Sequence, residues 1–184
     1  MNRRQTLGTM GAILASFSVP RLGYASSARA ATLAELVTRS TRIAHATPLE
    51  GSSRYEDIGD KRHIVTYTRL RIDEAIAGQS GESEILVRTL GGRIDKLGEV
   101  VHGEAQLVVN EACLVFVRAN ADGVEEITEM AQGHYPFEAD AKGTLRLRPS
   151  RNMPHLIGGG MPAAMQLSGL EAAPARELIR GVRR

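Results

Sequence analysis

The chain has 184 residues, with 23 Lys and Arg against 21 Asp and Glu and a formal net charge of +2. Four of the basic residues, Arg3, Arg4, Arg21 and Arg29, precede the first acidic one, so the remainder is slightly acidic and lacks the clustered Lys and Arg of a nucleic-acid or anionic-membrane surface. One cysteine excludes an intramolecular disulfide, and the absence of Trp, with three Phe and four Tyr, leaves the core to Val, Leu and Ile.

Residues 1–30 have the layout of a secretory signal: a basic start, an apolar stretch from Leu7 to Val19, and small residues ahead of a cleavage point. The apolar stretch is well short of the roughly 20 residues a membrane-spanning helix needs. Adjacent Arg3 and Arg4, followed by Thr6 and Leu7, resemble the motif read by the twin-arginine (Tat) translocase, with Thr6 in place of the usual hydrophobic residue. Gly8, Thr9, Gly11, Ser16 and Ser18 dilute the apolar stretch, and Arg21 follows it, as in such signals. Ala28 and Ala30 form a small-x-small pattern that predicts a mature chain starting at Ala31; a cut after Ala25 is the alternative. The expected location is the periplasm or the medium. The Tat translocase is the expected partner during export, the mature partner being unknown, and folding precedes transport without requiring a cofactor.

Beyond the signal, Thr32 and Glu35 form a capping box ahead of Leu33, Leu36 and Val37, which predicts a short helix. Arg42 to Pro48 reads as extended, Glu50 to Lys61 as a polar loop, and His63 to Ile72 as a strand with Ile64, Thr66, Thr68 and Leu70 on one face. Glu84 to Leu90 is a second strand, and Gly91 and Gly92 mark a bulge, tight turn or close strand approach at the start of a glycine-punctuated connection. Leu107 to Val109 and the apolar Ala112 to Val117 follow, the latter burying Cys113 as an inert thiol. Glu125 to Met130 suggests a strand, and Tyr135 to Ala139 with Thr144 to Arg148 a hairpin. Pro149 to Leu167 reads as a loop or arm, and Leu170, Leu178, Ile179 and Val182 predict a C-terminal helix with Pro174 in its first turn. These elements divide the chain into a signal (1–30), a β-barrel domain (31–148) and an arm with a helix (149–184). The fold class is all-β with terminal helices, a small antiparallel Greek-key barrel of OB-like type, with a β-sandwich as the alternative.

Leu33 to Val117 resembles a widespread group of exported bacterial proteins of unknown function with a small all-β, OB-like domain. The resemblance is carried by Ile64 to Gly78, Gly91, Gly92, Gly98, Gly103, Glu111 and Leu114 to Val117, and continues at Gln132, Gly133, Tyr135 and Phe137; Asn110 departs from it. It implies an all-β domain and assigns no chemistry.

No motif of catalysis stands in its structural context. His45, His63, His102, His134 and His155 lack metal-ligand spacing, so no metal or organic cofactor is expected. Gly158, Gly160 and Ala163 match a dinucleotide-binding string without the strand-turn-helix unit it requires, and read as a hinge. Glu56 with Asp57, Asp73 with Glu74, and Glu125 with Glu126 point to opposite faces of a strand and read as solvated surface. Two functions remain: a non-catalytic binding or accessory module, or a hydrolase whose loops bring His102, His134 and Asp140 together.

Overall fold

The computed structural model describes residues 27–183. Its elements run in the order β1 (Ser27–Arg29), α1 (Leu33–Arg39), β2 (Arg42–Ile58), β3 (Lys61–Gly78), β4 (Glu84–Leu90), β5 (Gly92–Ile94), β6 (Leu97–Glu99), β7 (Cys113–Ala119) and β8 (Glu125–Ile127). A 3₁₀ turn (Met130–Gly133), β9 (His134–Ala139), β10 (Leu145–Leu147), β11 (His155–Ile157), α2 (Ala163–Leu167) and α3 (Ala172–Arg183) complete the chain. The fold is all-β with short terminal helices, as expected. Strands pair in the ring β7-β2-β3-β4-β8 and back to β7, antiparallel except for β4 with β8. This closure in Greek-key order is the five-stranded barrel of OB type and leaves few free strand edges. The long β2 bends through register shifts at Ile43/Ala44, His45/Ala46 and Pro48/Glu50, the bulges a small barrel needs to curl a strand around itself.

Strand β7 explains the most apolar run of the sequence, because both of its faces are covered. Cys113, Val115 and Val117 point into the barrel with Ala46, Leu70 and Val87, while Leu114 and Phe116 face a second core. That second core is closed by Leu33 and Leu36 of α1, Leu167 of α2, and Ala175 and Ile179 of α3. Helix α1 carries the predicted capping box, and Pro174 sits in the first turn of α3.

Five expectations change. Glu50 to Lys61 is not a loop: β2 and β3 pair along their whole length through a two-residue Gly59-Asp60 turn, Ile58 opposite Lys61. Leu107 to Val109 forms no strand, and β8 stops at Ile127 because the backbone winds through left-handed Glu129 and Met130 into the 3₁₀ turn. The segment 149–167 is no free arm, since β11 pairs with β1 in parallel and Ala163 and Leu167 are buried in the helical core. The string read as a hinge is partly packed: a Cβ on Gly160 would lie 3.0 Å from the Thr32 methyl and one on Gly159, at φ +78°, 2.6 Å from the carbonyl oxygen of Ala30, while Gly158 faces open space.

Candidate functional site

One end of the barrel gathers polar groups from several strands. Thr66 and Thr68 of β3 stand beside Thr89 of β4, and the chain then turns sharply at Gly91 and Gly92. The turn is tight for a steric reason. Gly92 has φ +142°, and a Cβ there would lie 2.3 Å from the Thr66 hydroxyl and 2.5 Å from that of Ser53. Thr66 donates to the carbonyl of Gly91 at 2.8 Å, and Gly91 N–H donates to the carbonyl of Ile64 at 2.8 Å. The glycine pair is thus a close strand approach, as its sequence suggested.

The loop after β6 folds back over this end and delivers Glu104. Asn152 fixes the loop by donating to the carbonyls of Val101 and Glu104 at 3.0 and 3.1 Å. The Glu104 carboxyl is buried and accepts from the N–H groups of Ala105 at 2.9 Å and Leu90 at 3.1 Å. Burial raises its pKa above the usual carboxylate range despite those two donors. On one side of it lies a crevice of about 240 Å³ walled by Thr66, Thr68, Thr89, Glu99 and Asn152. On the other lies one of about 220 Å³ reached by Arg88, Arg118, Glu126 and Met130. Leu90 and Glu104 line both.

The arginines around these crevices are paired with carboxylates. Arg88, nearly buried, donates to Glu56 and to Glu126, and Glu56 also accepts from the Tyr67 hydroxyl at 2.8 Å. Burial opposes ionisation of Glu56, but Tyr67 and Arg88 outweigh it and hold the carboxyl below its ordinary range. The guanidinium of Arg54 lies 4.1 Å from the Tyr67 ring centroid. His63 hydrogen-bonds Glu99 at 2.7 Å; that contact and the Ile64 N–H hold the Glu99 carboxyl low. Glu56 and Glu126 are therefore ion-pair partners of a buried arginine rather than solvated surface. Sequence reasoning missed Arg88 and Glu104 because their neighbours come from separate strands and leave no local spacing.

The residues singled out for hydrolysis do not meet. His134, buried at the start of β9, pairs through Nδ1 with the Ser150 hydroxyl at 3.1 Å; burial, with Arg151 nearby, lowers its pKa to about 4. Asp140 lies past the far end of the same strand, roughly 20 Å along an extended chain, where it accepts from Arg146 Nε at 2.8 Å. His102 lines a third crevice, about 360 Å³, beside Arg29, Glu129 and Met130. Of the other histidines, His45 bonds Glu74 at 3.1 Å under Arg176 of α3, and His155 belongs to β11. Among the described residues, no three His, Cys, Asp or Glu side chains gather as metal ligands, and no helix is long and apolar enough to cross a membrane.

Of the expected signal residues, Arg3 and Arg4 lie outside the described residues. Ala28 sits within β1, opposite Leu156, and Ala30 is buried immediately after it. No protein-family profile matches the chain, and a search of curated proteins finds no match.

Proposed function

We propose that the protein is exported through the Tat translocase and acts in the periplasm or medium as a non-catalytic binding or accessory module, in keeping with the exported OB-like proteins it resembles. The ligand seat is the barrel end around Glu104. The observation that carries the reading is the crevice shared by Leu90 and Glu104, built on a closed barrel, with its cations already engaged by carboxylates. Rigid strands present hydroxyl and carboxyl groups there, and the surrounding ion pairs hold their geometry. Because Glu99 and Glu104 face the crevice and Arg88 is neutralised by Glu56 and Glu126, the seat favours an uncharged or cationic ligand over a phosphate-bearing one.

Titration of the labelled protein with neutral oligosaccharides, a short lysine-containing peptide and oligo-dT, followed by amide chemical shifts, tests this. The expected result is a shift confined to residues around Thr68, Leu90 and Ala105 with a neutral or cationic probe, lost in Thr68→Val, and none with oligo-dT. Tight oligonucleotide binding, or turnover of any probe, overturns the proposal.

A further inference from the structure

The folded chain begins before the point where the small-x-small pattern at Ala28 and Ala30 would cut it. Ser27, Ala28 and Arg29 pair in parallel with His155, Leu156 and Ile157, and Ala30 N–H continues the ladder to the Ile157 carbonyl at 3.2 Å. The side chain of Gln132 then clamps the chain from the opposite side. Its Oε1 accepts from Ala31 N–H at 2.7 Å, and its Nε2 donates to the carbonyl of Arg29 at 3.1 Å. Ala30 and Ala31 are 1% and 3% exposed, the Ala31 carbonyl accepts from Ala163 N–H at 2.9 Å, and Gly159 packs against the carbonyl of Ala30.

Both partners of the Ala30–Ala31 peptide bond are therefore enclosed. A peptidase that binds an extended, accessible segment cannot reach this bond in the folded chain, and a Tat substrate reaches its peptidase folded. Cleavage there at an earlier, unfolded stage fares no better. It would turn the Ala31 amide into an ammonium group in a site 3% exposed, facing one amide oxygen, and would leave the Ile157 carbonyl and the Gln132 amide without partners. Arg29, which donates to Glu35 at 2.8 Å at the start of α1, would also be lost.

We propose that the signal is removed after Ala25, with Gly23 and Ala25 as the small residues at the third and first positions before the cut, and that Ser26 begins the mature protein. Residues 27–30 are then retained as structure: β1 gives β11 its only partner strand among the described residues and forms one wall of the crevice that holds His102. The inference rests on the export reading.

Intact-mass measurement and N-terminal sequencing of the full chain, expressed in a bacterium with an active Tat pathway, separate the two. The expected exported species begins at Ser26. Ala25→Leu should leave the exported chain uncut or slowly cut, whereas Ala28→Leu, at a partly exposed position of β1, should be processed like the parent. An exported chain beginning at Ala31, or processing blocked by Ala28→Leu and untouched by Ala25→Leu, overturns the cleavage inference and leaves export standing. A full-length chain confined to the cytoplasm overturns both.

Discussion

Phe116 and His134 show how differently single side chains in this molecule depend on burial. Phe116 is fully buried and meets Tyr135 edge-on with ring centroids 6.2 Å apart. Phe116→Ala should destabilise the fold by about 3 to 5 kcal/mol, read from urea unfolding, because the packed core it shares with the helices cannot fully collapse into the void. In the native state Cys113, one strand position from Leu114 and with its thiol pushed up to about 12 by burial, should resist thiol reagents. Rapid native labelling would contradict the placement of β7. The His134 imidazole is kept neutral by burial, with a pKa of about 4. In the unfolded chain it titrates near 6.5, so its contribution is complete above about 6.5 and falls as pH drops toward 4, by on the order of 3 kcal/mol. His134→Gln should flatten that part of the curve of unfolding midpoint against pH; an identical acid limb in the variant contradicts the assignment.

At the scale of elements, the legible parts of the sequence were those with one dominant constraint. The short helix α1 announced itself through Thr32 and Glu35, and the structure contains both bonds of the box: Thr32 N–H to Glu35 at 2.8 Å and Glu35 N–H to the Thr32 hydroxyl at 3.2 Å. The Thr32 backbone, then Arg29, hold the Glu35 carboxyl down to about 2. Thr32→Ala should cost about 1 kcal/mol in urea unfolding while Thr32→Ser restores most of it; equal stability of all three would show that α1 is held by packing alone. Strand β7 was legible because burial on both faces leaves no polar position between Cys113 and Val117. The outer half of β2 was not. From Glu50 to Ile58 no residue of β2 is buried, so no period-two pattern survives there, and only Gly59-Asp60 between Ile58 and Lys61 could have revealed the hairpin. The segment 149–167 hid its order for a related reason: β11 is three residues long and its partner is a strand within what reads as a signal.

The described residues form one body, in which the opening and closing segments meet, β1 with β11 and α1 with α3, against the barrel. Helices α1 and α3 share the core beneath β7, and Thr32 bridges Pro162 just after β1 meets β11. The boundary drawn at residue 148 marks the start of a Gly-, Pro- and Met-rich stretch, but packing runs across it, since Leu147 shares a core with Leu167, Ala175 and Ile179. The candidate site was legible only in its glycines. Gly91 and Gly92 signalled a close approach, whereas Glu104 and Arg88 become meaningful once β3, β4, β8 and the loop before β7 converge, and convergence across strands leaves no spacing to read. Residues tied together from β1 to α3 are cargo of the kind a translocase of folded proteins carries. The deciding measurement is fractionation of cells producing the full chain with Arg3 and Arg4 intact or both replaced by Lys. The parent should appear in the periplasm or medium, and the double variant should remain in the cytoplasm as folded precursor. Equal export of the two, or retention of the parent itself, would contradict export through the Tat translocase.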